Sequence, residues 1–244
     1  MTDSEGADPK MQAAGSFSCA YRIASACHPV IGEPVEFIVP TAALHRPAVK
    51  TVLSGKYYEK FTHSAFHDIL AYKNVQTVVH AGAFFGDMLH TLSKFAGRVH
   101  AFEPVLENYV LAKLNAMRWQ LPNVLLMNAG LSDSNGIAFM RTTDRFGRFA
   151  GGSSTLLPAG TQPNEHVEPV TILRLDDQPI TDLAIIQLDV EGHELRALQG
   201  ATFLIERWRP ILMLEDNANA CSEFLEAVAQ WTFGMCWHRS ECWP

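Results

Sequence analysis

The chain has 244 residues, 48% hydrophobic and 18% charged, enough for one well-buried domain with an extension and too few for two large domains and a linker. A formal net charge of −7 leaves no global positive field, so a nucleic acid is not an expected partner. The five cysteines, Cys19, Cys27, Cys221, Cys236 and Cys242, form no Cys-x-x-Cys pair and signal neither a disulfide framework nor a zinc ribbon.

The first residues, Thr2-Asp3-Ser4-Glu5-Gly6, are acidic and no apolar run reaches spanning length, so neither export nor a membrane is expected and a reducing cytoplasm fits best. Residues 1 to about 16 are small and polar and read as a tail. The stretch to 72, with Pro29, Pro34, Pro40 and Pro47, reads as an accessory cap. Residues 73–244 form the main domain.

There the pattern alternates. A strand is expected at 75–80, a helix at about 86–95, a strand at 98–102, a helix at about 105–118 and a strand at 123–127. Between about 136 and 172 the rhythm lapses into polar and glycine-rich pieces, Gly147 and Gly151-Gly152-Ser153-Ser154 among them. This insertion is expected to lie over the carboxyl edge of the sheet. A strand at 183–188, a helix carrying Leu195, Leu198, Ala201 and Ile205 at helical spacing, and a strand at 210–215 complete the reading. Strands alternating with helices imply βαβ units, a parallel sheet and an α/β fold.

Two motifs fall at that sheet's edge. Gly82 and Gly86 follow the first strand and open a helix, where glycine lets a ligand approach and the helix start offers unpaired N–H groups. Glu103 ends the next strand about 20 residues on, the place from which a carboxylate accepts ribose hydroxyls. The turn lacks the G-x-G-x-x-G spacing of dinucleotide sites, so a phosphate-free adenosyl ligand fits better than a nicotinamide cofactor. Asp189 ends the strand Ile185-Ile186-Gln187-Leu188 and faces the same edge. Glu191 and Glu194 follow within a turn and complement the start of the next helix.

With these residues in hand, the chain resembles the FkbM-type family of S-adenosylmethionine-dependent methyltransferases. The resemblance runs over roughly 75–217, through Val79-His80-Ala81-Gly82-Ala83-Phe84-Phe85-Gly86, Ala101-Phe102-Glu103-Pro104, Asn123-Val124, Leu131-Ser132-Asp133, Gly151-Gly152-Ser153-Ser154, Leu188-Asp189-Val190-Glu191-Gly192-His193-Glu194 and Arg209-Pro210-Ile211-Leu212-Met213-Leu214-Glu215. His80 and Phe84 stand where the family typically has Asp and Asn. The resemblance implies a Rossmann-like class I methyltransferase fold, a mostly parallel seven-stranded sheet with helices on both faces. It implies S-adenosylmethionine as cofactor and transfer to a hydroxyl of a sugar, polyketide or other small metabolite. Gly82, Ala83 and Gly86 would shape its methionine side, with His80, Phe84 and Asp189 bordering it. Glu103 would hold the ribose, and Asn128, Leu131 and Ser132 would lie near the adenine.

For catalysis, Asp189 and His193 are the candidate general bases, with His166 a weaker rival. A metal route would set Mg²⁺ between Asp189 and Asp216-Asn217, although Asp-Asn after a strand is also ordinary turn chemistry. Arg141, Arg145 and Arg148 either greet an anionic acceptor or form a solvated face, and Tyr57 and Tyr58 either close the cap or pack in the core. The aromatic tail, residues 235–244, reads as a lid, a dimer contact or a final strand. A degenerate adenosyl-binding protein without turnover is the alternative that His80 and Phe84 motivate, and a homo-oligomer is compatible with the chain.

Overall fold

The structure is a computed structural model describing residues 21–71, 76–144, 146–157 and 166–214. It begins with an antiparallel hairpin of β1 (Tyr21–Cys27) and β2 (Pro34–Pro40). Alternation in β2 buries Val35, Phe37 and Val39 and turns Glu36 outward, as a two-residue period requires. Two helices follow, α1 (Pro47–Leu53), with proline at its first position where no N–H is needed, and α2 (Lys60–Ala71). Phe66 and Leu70 of α2 are buried in the same cluster as Leu89 and Val99, so part of the segment read as a cap is a layer of the main core.

The centre is a parallel sheet of β3 (Thr77–Ala81), β4 (Arg98–Phe102), β5 (Val124–Met127), β10 (Leu183–Leu188) and β11 (Ile211–Leu214), in the order β11-β10-β3-β4-β5. The central sheet has five strands among the described residues, where the family resemblance implies seven, and residues beyond 214 lie outside them. Helices α3 (Leu89–Phe95) and α4 (Leu106–Arg118) join α2 over one face, burying Val78, Val99 and Ala101. Over the other lie α5 (Glu194–Gln199) and α6 (Thr202–Trp208), burying Val79, Phe102 and Ile186. Every residue of β3 and β10 is buried, which explains why apolar residues dominate both strands without a two-residue alternation.

Two expectations are corrected. The single helix carrying Leu195 to Ile205 is broken at Gly200, whose backbone lies so close to β6 (Gly130–Leu131) and its sequel that a Cβ would stand 1.9 Å from the Ser132 carbonyl oxygen. The stretch at 136–172 is a second sheet as well as a loop. Strands β7 (Gly136–Arg141), β8 (Thr155–Leu156) and β9 (Val167–Leu173) join β6 in the order β6-β9-β7-β8, with β7 antiparallel to β9 along six residue pairs. Cross-strand pairing supplies what the local pattern lacks.

Candidate functional site

Three neighbouring parallel strands end level with one another. Leu188 of β10 pairs with Ala81 of β3, and Ala81 with Phe102 of β4. The next residues, Asp189, Gly82 and Glu103, therefore emerge side by side at the carboxyl edge. Chain order reverses between β3 and β10, and a crevice opens at such a switch point in doubly wound sheets. Backbone bonds tie the three together: Asp189 N–H donates to the Ala81 carbonyl at 3.1 Å, and Gly82 and Ala83 donate to the Phe102 carbonyl at 3.0 and 3.1 Å.

Gly82 has φ +90°, and a Cβ there would stand 1.9 Å from the Asp189 carbonyl oxygen. Its first duty is thus to let two strand ends touch. Gly86 sits against Ala112 of α4, and Ala83 is fully buried in the core. Neither borders a cleft, so of the three residues expected to shape the cofactor's methionine side only Gly82 faces open space.

Two adjoining clefts open here, sharing Gly82, Gly152, Asp189 and Glu191. The first, about 460 Å³, is bordered by Glu103, Leu131 and His193 and walled by Met140, Gly151 and Leu156 of the inserted segment. The insertion does lie over the sheet edge, as expected. The second, about 690 Å³, lies between His80, Phe84, Asp87 and Gln187 on one side and Arg46, Tyr58 and Glu59 of the N-terminal segment on the other.

Glu103 is almost completely buried. Its carboxylate accepts from the Phe84 N–H at 2.8 Å, the Val105 N–H at 2.9 Å and the Asn108 amide at 3.2 Å. Burial nevertheless pushes its pKa up to about 7. The residue therefore pins the turn after β3, where Phe84 takes a left-handed φ of +46°, while keeping an edge on the first cleft. Phe84 lays its ring against Gly151 and Gly152 and meets Phe85 edge to face.

His80 is 2% exposed, and its Nδ1 bonds the Gln187 side-chain oxygen. Gln187, the polar residue in an otherwise apolar β10, is the partner that explains the buried imidazole. Beside them Asp87, just past Gly86, is buried, and burial raises its carboxyl to about 7. Asp87, Gln187 and Arg46 were not among the expected site residues. For Gln187 the signal was a lone polar side chain between Ile186 and Leu188, while for Arg46 there was none, since only the fold brings it to the sheet edge.

The remaining expected residues divide. Leu131 faces the first cleft. Ser132 lies behind it with Oγ 3.0 Å from His193 Nε2, and Asn128 donates to the carbonyls of Glu103 and Pro104, so these two brace the wall. His193 stands at the N-cap of α5 and borders the first cleft alone, with burial lowering its pKa. Glu194 accepts the N–H groups of Val190 and Gly192, the structural duty expected of it. Asp216 and Asn217 lie outside the described residues, as do Arg145 and the aromatic tail. Among the described residues no group of three or more His, Cys, Asp or Glu is arranged to hold a metal. Arg148 pairs with Asp144 at 2.8 Å, Arg141 is exposed on β7, and neither they nor His166 border a cleft. Tyr57 packs in the core against Phe37, whereas Tyr58 reaches the second cleft. No described helix is long and apolar enough to cross a membrane.

The buried histidines make stability depend on pH. Burial lowers His63 to about 3 and His28 and His80 to about 4, and also lowers His90 and His100. Below about pH 6.5 the unfolded chain takes up protons that these imidazoles refuse in the fold, so they destabilise as pH falls. Asp87 and Glu103, raised to about 7, act in the opposite sense because the fold takes their protons first. Histidines outnumber carboxyls, and the net loss between pH 7 and 5 is expected to be roughly 1–3 kcal/mol in urea titrations. Equal or greater stability at pH 5 would contradict the buried, neutral imidazoles.

The family model described as "Methyltransferase FkbM domain" matches residues 80–235, more than half of the chain. Among solved structures, the chain is similar to methyltransferase FkbM from Methylobacillus flagellatus KT, at 15% identity and a TM-score of 0.47 over 71% of this chain and 45% of that one. It is similar to the tRNA (m1A58) methyltransferase TrmI from Aquifex aeolicus, at 19% identity and TM-score 0.35 over 69% and 52%. It is also similar to the YcgJ protein from Bacillus subtilis, at 12% and 0.33 over 69% and 58%. The chain thus spans about half the length of these solved structures. No curated protein matches it.

Proposed function

The chain belongs to the FkbM methyltransferase family, and on that premise we propose that it is an S-adenosylmethionine-dependent O-methyltransferase acting on a small hydroxylated acceptor. The observation that carries this reading is the level emergence of Gly82, Glu103 and Asp189 at the carboxyl edge, beside a cleft that all three border. We assign the cofactor to that cleft and the acceptor to its neighbour. Glu103 offers its buried carboxylate to the ribose hydroxyls, and Leu131 and His193 flank the adenosyl group.

The bound cofactor would supply an electrophilic methyl on a sulfonium. The chain's own task is to hold the acceptor oxygen in line with it and to receive the hydroxyl proton. Asp189 borders both clefts and is the base we assign to that proton. His193, on the cofactor side alone, serves as wall and orients through Ser132. The acceptor is enclosed from the N-terminal side by Arg46, Tyr58 and Glu59.

Calorimetric titration with S-adenosylmethionine and S-adenosylhomocysteine, with NADH as control, tests the reading. Binding near micromolar for the adenosyl compounds and none for NADH is the expected result. NADH binding without adenosyl binding would overturn it in favour of an oxidoreductase. Adenosyl binding with no methyl transferred to any hydroxylated acceptor would favour the non-catalytic alternative.

A further inference from the structure

The wall shared by the two clefts is tied to the carboxylate assigned to the ribose. Asn108 of α4 is 1% exposed, and its Nδ2 donates to Glu103 Oε1 at 3.2 Å and to the Gly151 carbonyl at 3.3 Å. Both hydrogens of the amide are thus spent. Turning it over would set its oxygen against two acceptors, so the placement of nitrogen and oxygen is forced. Asn108 Oδ1 is buried with no hydrogen-bond partner among the described residues. The amide's orientation therefore rests on Glu103 and Gly151, and a change at one acceptor is felt at the other.

A second route joins the same places. Glu103 Oε2 accepts the Phe84 N–H at 2.8 Å, and a Cβ on Gly151 or Gly152 would stand 3.0 or 3.4 Å from the Phe84 ring. Gly151 and Gly152 open a short turn, Gly151–Ser153, and both border the first cleft while Gly152 borders the second also. Ser154 Oγ donates to the Gly151 carbonyl at 2.9 Å and Arg46 bonds Ser153 Oγ, bonds that hold the turn without involving Glu103. Both routes through Glu103 favour its ionised form. A proton on Oε1 would face the N–H groups of Asn108 and Val105, and one on Oε2 the Phe84 N–H. Burial raises this carboxyl to about 7, and the charged group facing it, Glu168 of β9, itself beside Glu107 of α4, raises it further. Ribose hydroxyls donating to the carboxylate would favour the charge.

We propose that Asn108 is a positioning residue that couples the two clefts: ribose hydroxyls on Glu103 close the Asn108 bridge to Gly151, so that adenosyl binding sets the wall against which the acceptor is held. This inference rests on the assignment of the adenosyl ligand to the first cleft. The chain then binds cofactor before acceptor, and the glycine turn is loose until the ribose arrives.

Hydrogen exchange across 150–155, followed by mass spectrometry in the full chain with and without S-adenosylhomocysteine, reads the wall, and calorimetry from about pH 6 to 9 reads the affinity. In the parent chain the ligand should slow exchange there at least roughly fivefold. Asn108→Leu keeps the shape of the side chain and removes the bridge. It should abolish the slowing and, by removing a bond to the charged form of Glu103, move the pH at which binding is half lost up by about one pH unit. Affinity then falls about fivefold at pH 7 and returns to that of the parent by about pH 9. A purely structural role would lower it equally at every pH. Ser154→Ala, which removes the other side-chain donor to Gly151, should loosen the turn with and without ligand while the slowing and the pH profile persist.

Slowing that survives Asn108→Leu, a loss of affinity independent of pH, or slowing that vanishes in Ser154→Ala as well overturns the proposal. Where Asn108→Leu does not fold, the parent without ligand is the test. Its exchange across 150–155, corrected for the intrinsic rate, should slow at least roughly threefold from pH 6 to 8, and an unchanged rate overturns the coupling. S-adenosylhomocysteine that binds without slowing the turn also overturns it and leaves the cofactor assignment standing, whereas no adenosyl binding at any pH removes both.

Discussion

Gly82→Ala should lose adenosyl-ligand binding and destabilise the fold by more than about 4 kcal/mol, because two penalties fall on one atom. The first is conformational: φ of +90° lies in a region that a residue with a Cβ rarely adopts. The second is steric, since the new methyl would stand 1.9 Å from the Asp189 carbonyl oxygen, and neither strand end can retreat without breaking its pairing. Gly32→Ala separates the two. Gly32 has φ +72° with nothing within 4 Å of a Cβ, so it bears the conformational cost alone, about 1 kcal/mol. Urea unfolding of both variants measures the difference. Equal losses would show that the β3 and β10 ends do not touch as described, and the shared border of the two clefts would go with them.

Glu103→Gln is the second large effect and separates structural from ligand-binding duty. The carboxylate receives two backbone N–H groups, one on each oxygen, and the Asn108 amide. An amide of the same shape can accept on one side only, so its NH₂ must face the N–H of either Phe84 or Val105. The expected cost is about 2–3 kcal/mol of stability, the penalty of a buried donor left unsatisfied. Adenosyl affinity should fall roughly tenfold to a hundredfold as the ribose loses a charge-assisted bond. Because the carboxyl's own pKa is raised to about 7 by burial, adenosyl binding by the parent chain should strengthen as pH rises from 6 to 8, and the variant should lose that dependence. A destabilised variant with unchanged affinity would confine Glu103 to pinning the turns on either side of it.

These effects meet at residues whose importance the amino-acid order already conveyed, though for partly different reasons. Its place after a strand makes Gly82 a ligand-approach glycine, and its tightest constraint is a neighbouring strand. Its place at a strand end makes Glu103 the expected ribose acceptor, and it also holds Phe84 in a left-handed turn. Both expectations follow from position alone, since the first residue past a buried parallel strand must lie at the carboxyl edge wherever the strand sits.

Local pattern was sufficient for this much because its signals are short-ranged. The segments at 77–81, 98–102 and 183–188 are mostly apolar because both faces of those strands are covered, and the helices between them carry their own period. Strand, helix, glycine turn and terminal acid each lie within a few residues of one another, and so does the family resemblance built on them. Tertiary structure decided the rest, through groups distant in the chain. The break at Gly200 depends on Ser132, the second sheet on pairing between β7 and β9, and the state of His80 on Gln187, 107 positions away. The second cleft is the clearest instance: Arg46, Tyr58 and Glu59 came from a segment read as a cap, and Asp87 from one read as plain helix. No spacing rule joins them, because a cleft is made where backbones meet in space and desolvate one another's side chains.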